Sequence, residues 1–129
     1  MATLFSKIVA GEIPCHRIAE NDKFLAFLDI MPLAPGHTLV IPKMEIDYIF
    51  DLDDIHLSEI NLFAKNVASK LRAAVPCKRI GMAVIGLEVP HAHIHLIPLN
   101  HVGDINFERP KMTITPEELA EMANRIRQA

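Results

Sequence analysis

Apolar residues between positions 54 and 75 recur every three or four positions, which is the spacing of one face of an α-helix. Asp53 or Asp54 can cap the N-terminus of this stretch. The pattern therefore predicts a long helix over 54–75 that packs one apolar face against the rest of the protein. The residues of that face are Leu57, Ile60, Phe63, Ala64, Val67, Leu71 and Ala74.

Five shorter apolar runs have the length and the flanking turn residues of β-strands. The first two are separated only by Asn21-Asp22, a pair that favours a tight turn, so they predict a β-hairpin. The third begins after a Pro- and Gly-containing loop at 32–36, and the last two follow the long helix. The predicted strands cover 16–20, 23–30, 37–42, 79–86 and 91–99.

Two further helices are predicted near the ends of the chain. Residues 4–11 form a short helix, and Thr-Pro-Glu-Glu at 115–118 combines a capping box with proline in the first turn of another. The buried stripe of that last helix is predicted to be Leu119, Met122 and Ile126. The order of the elements predicts an α+β fold, with a mainly antiparallel sheet of about five strands and one long packed helix, rather than a doubly wound parallel sheet.

The composition fits one globular domain, which we place at 1–129, since half of the residues are hydrophobic. The net charge of −3 and the lack of a basic cluster argue against nucleic acid as a partner and against binding to anionic membranes. No apolar run approaches the ~20 residues of a transmembrane helix. The N-terminus lacks the features of a secretory signal, so we expect a cytoplasmic protein with Cys15 and Cys77 as free thiols.

Three of the seven histidines occupy alternate positions, at His91, His93 and His95. In a strand these side chains share one face, and the intervening apolar residues share the other face, against the long helix. One buried histidine usually only packs, but three in register favour a functional site.

Two functional interpretations of this row remain open. The histidines bind a divalent metal, or one of them is a nucleophile that its neighbours orient. No acidic ligand follows the row, as it does in His-x-His-x-Asp-His sites, which disfavours the metal. Further ligands from His37, His56 or His101 would have to be supplied by the fold.

The run His-Ala-His-Ile-His-Leu-Ile at 91–97 matches the histidine triad pattern, in which three histidines alternate with apolar residues. The segment 24–43 resembles the ribose-binding region of the same family, and 5–14 resembles its usual opening. Over residues 3–98 the chain therefore resembles the histidine triad (HIT) family, in particular its small nucleotide-binding proteins and dinucleoside polyphosphate hydrolases. Residues 100–129 form a C-terminal extension that the resemblance covers less well.

The resemblance implies a role for each of five side chains. His93 attacks the α-phosphorus of a nucleotide, and His95 contacts the phosphate and leaving group. His91 helps to fix the tautomer of the site, His37 is a buried partner of the triad, and Asp29 accepts hydrogen bonds from the ribose hydroxyls. From the residues alone, His37 is almost as readily an ordinary histidine at the start of a strand, and Asp29 is about as readily an acid at a strand end.

The resemblance also implies a nucleotide-binding loop before the triad, formed by Gly86, Leu87, Glu88 and Val89. Its backbone N–H groups would stabilise the charge that develops on the phosphoryl oxygens. The implied substrate is a purine nucleotide whose leaving group is an amine, as in a phosphoramidate, or a second phosphate, as in a dinucleoside polyphosphate. No cofactor is implied, and a homodimer whose sheets join across the interface is expected.

The sequence departs from the family pattern at the N-terminus. Many relatives carry Cys-x-x-Cys there, and those cysteines join two histidines in binding structural zinc. Thr3 and Ser6 stand at the cysteine positions of this chain, and Glu45 stands at a later ligand position. We therefore expect no metal.

Two further departures lie near the triad. Ile80 stands where relatives usually carry Asn or Gln, and Leu87-Glu88 replaces the usual Gln-Ser/Thr. Glu88 either selects a leaving group that bears an amine or acts as an acid or base there. The alternative, which the sequence favours modestly, is that Glu88 anchors a turn or a dimer contact.

Three functions follow from these observations. The first is an enzyme that cleaves a nucleoside 5′-phosphoryl bond through a nucleotidyl intermediate on His93. The second is a non-catalytic nucleotide-binding or interaction module with the same fold, and the third is a metal-dependent hydrolase. The extension at 100–129 either shapes the leaving-group side of the site or extends the dimer contact.

Overall fold

A computed structural model describes residues 3–129, so the first two residues of the predicted domain lie outside the described part. Five antiparallel strands form one sheet in the order β1-β2-β3-β5-β4, with three helices around it, which confirms the predicted α+β fold. The elements are α1 (Leu4–Val9), β1 (Arg17–Glu20), β2 (Phe24–Leu28), β3 (Thr38–Pro42), α2 (Asp54–Ala74), β4 (Arg79–Ala83), β5 (Ile94–Leu99) and α3 (Pro116–Gln128). Short 3-10 turns cover Ile49–Asp51 and Val102–Ile105.

The two faces of the sheet are covered by different elements. On one face, Ala92, Ile94 and Leu96 belong to a buried cluster with residues of α2 and α3, as the alternation along this segment predicts. On the other face, Phe5 and Ile8 of α1 pack against side chains of β2 and of the central strand β3. The histidine row points to this second face, where Phe5 contacts two of its rings.

The helix starts follow the predicted capping signals. Asp53 is the N-cap of α2, and its carboxylate accepts from the backbone N–H of His56 at 2.8 Å. Thr115 is the N-cap of α3 and forms the predicted capping box with Glu118. Within the stripe expected for α3, Leu119 and Ile126 are buried and Met122 is partly buried.

All five predicted strands are shorter in the structure, and the physical reason is visible for the two that flank the triad loop. The strand predicted at 91–99 begins at Ile94, because the backbone N–H of His91 donates to Val89 and that of Ala92 donates to Ile46, instead of joining the ladder. The strand predicted at 79–86 ends at Ala83, before the left-handed Gly86 (φ +77°). Residues 84–93 therefore form a loop, although the alternation of side chains continues through it.

The turn before β3 requires glycine at position 36. Gly36 has φ +92°, and a Cβ there would lie 3.0 Å from Cγ2 of Val75 and 3.2 Å from Cγ of Pro98. This close approach places His37 at the start of β3, beside the histidine row.

The C-terminal extension crosses the histidine face before it reaches α3. We call residues 100–113 the crossing segment. Its Phe107 packs against His95, and the backbone N–H of Met112 donates to the carbonyl of Pro32 at 2.8 Å. The crossing segment thus closes the side of the row that α1 leaves uncovered.

The two edges of the sheet differ. At the β1 edge, Arg127 of α3 donates to the carbonyl of Arg17. β4 is the other edge strand, and within residues 3–129 no further strand pairs with it. None of the described helices is both long enough and apolar enough to cross a membrane.

Candidate functional site

Four histidine rings lie side by side on one face of the sheet. The ring centres of His93 and His95 are 4.9 Å apart, and those of His95 and His37 are 5.2 Å apart. His91 begins the row and contacts Phe5, and all four side chains are buried. The structure therefore brings together the three histidines of the motif and His37, which is distant in sequence.

The orientation of His93 is set by its own backbone neighbour. Its Nδ1 lies 2.7 Å from the carbonyl oxygen of His91. Because a carbonyl only accepts, Nδ1 carries the proton and donates, which leaves the lone pair of a neutral His93 on Nε2. This tautomer is the one that a nucleophilic imidazole needs.

His91 is held from both sides. Its Nε2 donates to the carbonyl of Pro42 at 2.8 Å, so its Nδ1 must accept, and the hydroxyl of Thr3 lies 2.9 Å from Nδ1. The ring of Phe5 packs against both His91 and His93. Side chain and backbone of His91 are thereby fixed, and with them the carbonyl that orients His93.

A second chain of hydrogen bonds orients His95. The backbone N–H of Leu33 donates to Nδ1 of His37 at 3.0 Å, so the proton of neutral His37 is on Nε2. This Nε2 donates to Nδ1 of His95 at 2.9 Å. His95 therefore carries its own proton on Nε2, where it can donate to a phosphoryl oxygen.

Burial lowers the pKa values of the three histidines that surround His93. Desolvation lowers the pKa of His37 to about 4 and, together with the nearby His37, lowers the pKa of His95 to about 3. Desolvation also lowers the pKa of His91. The three neighbours of His93 are therefore neutral hydrogen-bonding groups.

Asp29 follows β2 and faces the far end of the row. One carboxylate oxygen accepts from the backbone N–H of Met31 at 2.9 Å, and the other lies 3.7 Å from Nε2 of His37. Burial raises the pKa of this carboxyl, although the hydrogen bond from Met31 and the charge of Lys111 oppose the effect. The side chain remains 22 % exposed, so the carboxylate can be reached by a ligand.

Only two of the four residues of the predicted nucleotide-binding loop contact the surroundings of the histidine row. Gly86 and His93 line one cleft of about 390 Å³, and Val89 packs on the cluster around Phe5. Leu87 is 88 % exposed and Glu88 is exposed, and neither makes a side-chain hydrogen bond among the described residues. The negative charge of Glu88 nevertheless reaches Asp29, where it contributes to the raised pKa.

The cleft beside His93 is mostly apolar and opens toward the edge of the sheet. Asp29, His37 and His95 do not line it, so it adjoins the histidine row without containing it. Its walls come from α2, from the β4 edge and from the segment before α2. They include Tyr48, Phe50, Leu57, Met82, Val84 and Ile85.

A hydrogen-bonded cluster joins Thr3, Ser6, Glu45 and His91, the positions that the sequence resemblance aligned with structural zinc ligands. The Thr3 hydroxyl contacts Nδ1 of His91 and accepts from the backbone N–H of Ser6 at 2.9 Å. The backbone N–H of Thr3 lies 2.9 Å from Oε1 of Glu45 and 2.7 Å from the hydroxyl of Ser6. The four positions thus meet in space, and hydroxyl and carboxylate oxygens link α1 to His91.

Three donor atoms elsewhere could approach one cation. Single atoms of Asp29, His37 and His95 lie within 4.8 Å of one another. However, the two histidine nitrogens are already joined by a hydrogen bond of 2.9 Å. A metal would have to displace that proton and break the chain that orients His95.

Three contributors were missed by reasoning from the sequence. Thr3 was assigned only as a replaced zinc ligand, and Phe107 and Lys111 lie outside the motifs. The contact between Thr3 and His91 could have been predicted, because Thr3 aligns with a cysteine that joins histidines in the zinc site of the family pattern. No local signal marks Phe107 or Lys111, because only the path of the crossing segment brings them to the row.

The chain was compared with protein families and with known proteins. The HIT domain profile matches residues 10–102. An adenosine 5′-monophosphoramidase of Schizosaccharomyces pombe is 34% identical, over 98% of this chain and 96% of the yeast protein. An uncharacterised HIT-like protein of Borreliella burgdorferi is 32% identical, over 95% of this chain and 94% of its own length.

Solved structures agree with this similarity. A HIT-like protein from Bartonella henselae superposes with a TM-score of 0.85 at 34% identity, covering 98% of this chain and 94% of that one. A zinc-bound histidine triad family protein from Mycobacterium smegmatis superposes with a TM-score of 0.83 at 27% identity, covering 99% of this chain and 92% of that one.

Replacing Thr3 tests whether its hydroxyl holds the side chain of His91 in place. Thr3→Val keeps the shape of the side chain but removes the hydroxyl, which leaves Nδ1 of buried His91 without a donor and removes the N-cap of α1. We expect the free energy of unfolding to fall by about 2 kcal/mol, measured by urea denaturation. Thr3→Ser keeps the hydroxyl, and its stability should stay close to that of the wild type. Equal stability of Thr3→Val and Thr3→Ser would show that the hydrogen bond from Thr3 to His91 does not stabilise the fold.

Acidification tests the neutral histidines. The pKa of His37 is about 4 in the folded protein and ~6.5 in the unfolded chain, so the unfolded chain binds more protons as the pH falls through this window. Stability is therefore present above pH ~6.5 and is lost below it, by about 2 kcal/mol between pH 7 and pH 5 for His37 alone. Urea unfolding at both pH values measures the loss.

The matched variant is His37→Gln, which removes one titrating group and should show a smaller difference between pH 7 and pH 5. Backbone hydrogen bonds lower the pKa values of the carboxyls of Asp53 and Glu45, so protonation of these groups destabilises the fold at lower pH. Measurements therefore stop at pH 5. A wild-type stability that is constant over this range would show that the row is not held neutral.

Proposed function

Because the chain belongs to the HIT domain family, we propose that it cleaves the 5′-phosphoryl bond of a nucleotide through a covalent intermediate on His93. One observation carries the proposal: Nδ1 of His93 donates to the carbonyl of His91 at 2.7 Å, which leaves the lone pair on Nε2. The relative from Schizosaccharomyces pombe that is named a phosphoramidase supports the same class of reaction.

In the first step, Nε2 of His93 attacks the α-phosphorus and forms an N–P bond. The bond from phosphorus to the leaving group breaks on the opposite side, and the leaving group departs with the bonding electron pair and takes up a proton from solvent water. His93 retains its Nδ1 proton, so the nucleotidyl-imidazole is positively charged. The carbonyl of His91, which already accepts from Nδ1, stabilises that charge.

In the second step, a water oxygen attacks the same phosphorus and displaces Nε2. The N–P bond electrons return to His93, the water loses a proton, and the product is a nucleoside 5′-monophosphate. Two displacements at one phosphorus let the same donors act twice. The Nε2–H group of His95 is one such donor. Nδ1 of His95 accepts from His37, so the proton of His95 is on Nε2, which is free to donate.

The remaining predicted residues bind the nucleotide in this proposal. Asp29 accepts hydrogen bonds from the ribose hydroxyls, and the backbone of Gly86, Leu87, Glu88 and Val89 donates to phosphoryl oxygens. A purine nucleotide is the proposed substrate, with an amine or a second phosphate as the leaving group. We keep the cytoplasm as the proposed location, and Cys15 and Cys77 are both free thiols, as predicted.

A nucleotide-binding module without turnover is the second candidate. It is favoured by Ile80, which offers no amide to the phosphate, and by the exposed carboxylate of Glu88, whose charge acts on Asp29. A repulsive carboxylate weakens phosphate binding unless it turns away. The metal-dependent alternative is weaker, because its best donor set is already hydrogen-bonded internally.

We also propose a homodimer through the edge of β4. Large apolar side chains are exposed there, and β4 offers an unpaired ladder to a second copy of the chain. The cleft that contains His93 opens on the same edge, so a partner would close it. The exposed side chains are Tyr48, Phe50, Met82, Val84, Ile85 and Leu87.

The catalytic proposal is tested with adenosine 5′-phosphoramidate and diadenosine tetraphosphate, each with and without EDTA. Wild-type protein should turn over at least one of them regardless of EDTA, and His93→Ala should lose at least about 10³-fold in kcat because the nucleophile is gone. Quenching the wild type and nucleotide-labelled substrate in alkaline denaturant should trap label on the protein, because the N–P bond of a nucleotidyl-histidine survives base but is hydrolysed in acid. His16→Ala, on a histidine outside the row, is the control.

Each alternative gives a different result in this experiment. Turnover that EDTA abolishes would replace the covalent mechanism with a metal-dependent one. Nucleotide binding without turnover by the wild type would establish the module. Unchanged turnover by His93→Ala would remove His93 from the chemistry.

The dimer is tested by Met82→Lys, which places a charge on the exposed edge of β4. Wild-type protein should sediment as a dimer, and the variant should shift toward monomer because burying an unpaired ammonium is costly. Val102→Lys is the control, since Val102 is 90 % exposed and lies outside the patch. A wild-type monomer at micromolar concentration would contradict the dimer.

A further inference from the structure

Lys111 of the crossing segment is held beside the histidine row. Its Nζ donates to the carbonyl oxygen of Phe107 at 3.0 Å and lies 5.6 Å from the centre of the Phe107 ring. That ring in turn lies 4.6 Å from His95 and 6.3 Å from His37, measured between ring centres. The Phe107 ring therefore contacts both the ammonium group of Lys111 and the ring of His95.

The backbone around Lys111 is anchored as well. The N–H of the next residue, Met112, donates to the carbonyl of Pro32, in the loop that leads from Asp29 to His37. Lys111 itself is half-buried. Its ammonium has three N–H donors, and the carbonyl of Phe107 occupies one of them, so two remain available for a ligand.

The charges around the row explain why a cation there matters. Asp29 and Glu88 bring two carboxylates to the site, and the neutral rings of His37 and His95 can donate hydrogen bonds but do not offset that charge. The positive charge of Lys111 acts on Asp29, His37 and His95, in each case alongside the larger effect of burial. Lys111 therefore brings a positive charge to a site where the charged groups are otherwise carboxylates.

We propose that Lys111 is a binding residue for the anionic phosphate groups of the substrate, and that it makes the protein prefer nucleotides with several phosphates to those with one. This inference rests on the proposed function for the identity of the substrate. The preference arises because each added phosphate strengthens the attraction to a fixed ammonium, whereas the neutral histidine donors respond less to net charge.

The other cation of the crossing segment provides a matched control. Arg109 is directed away from the row, since its guanidinium donates to the carbonyl of Gly103 at 2.8 Å and lies 3.5 Å from the carboxylate of Asp104. Arg109→Gln therefore removes the same charge from the same segment without removing a group from the site. A general effect of net charge would affect Lys111 and Arg109 variants alike.

The experiment measures KM and kcat for diadenosine tetraphosphate and adenosine 5′-phosphoramidate. Lys111→Met keeps an unbranched apolar stem against Phe107 but removes the charge. We expect about a tenfold rise in KM for the tetraphosphate, less than about threefold for the phosphoramidate, and little change in kcat. Lys111→Arg should retain most of the binding, and Arg109→Gln should behave as wild type.

A binding measurement separates this inference from the proposed function. Calorimetric titration of AMP and ATP into His93→Ala does not depend on turnover. The preference for ATP over AMP should fall when Lys111→Met is added to this variant, and it should fall in the parent when salt is raised from 0.05 to about 0.5 M. If wild type cleaves neither substrate, the proposed function fails while this titration still decides the role of Lys111.

Two results would overturn the role of Lys111. One is an equal change in affinity for AMP and ATP on Lys111→Met, which would indicate a structural role that does not depend on phosphate charge. The other is no change in the affinity for either nucleotide in a Lys111→Met protein of normal thermal stability. Thermal unfolding of each variant identifies any loss of folding, and the salt dependence of the parent protein then supplies the decisive measurement.

Discussion

The hydrogen bond from Nδ1 of His93 to the carbonyl of His91 is the contact on which the site depends. It is made within one short loop, so it needs the backbone of that loop to be immobile. The side chain of His91 provides this by bonding to Pro42 and Thr3, and Phe5 packs on both rings. The short helix α1 and its N-cap thus hold the rings of His91 and His93 in place.

Neutrality is the second constraint on the row. The rings of His93, His95 and His37 are packed at successive centre distances of 4.9 and 5.2 Å, so they would repel one another if all were charged. Burial disfavours the charged forms of His37 and His95. The fold therefore supplies each ring with a partner that selects one neutral tautomer. The backbone N–H of Leu33 selects the tautomer of His37, and His37 in turn selects that of His95. The carbonyl of His91 selects the tautomer of His93. The two chains leave His93 with a lone pair and His95 with a proton on their free nitrogens.

The zinc positions of the family are filled differently in this chain. Hydroxyl groups of Thr3 and Ser6 and the carboxylate of Glu45 join α1 to His91 by hydrogen bonds. The hydroxyl of Thr3 gives Nδ1 of buried His91 a hydrogen-bond partner at 2.9 Å. The N-terminal helix can therefore position the triad through oxygen donors and acceptors alone.

The amino-acid sequence by itself determined the α+β class, the capped long helix and the alternation that separates histidines from core residues, because these follow from local periodicity and capping chemistry. It also pointed to His93 through the triad pattern. Only the tertiary structure decided where β5 begins, how Thr3 meets His91, and that Phe107 and Lys111 lie on the row. Those features depend on contacts between residues far apart in the chain, such as the 2.8 Å bond from Met112 to Pro32, and no local pattern encodes such a meeting.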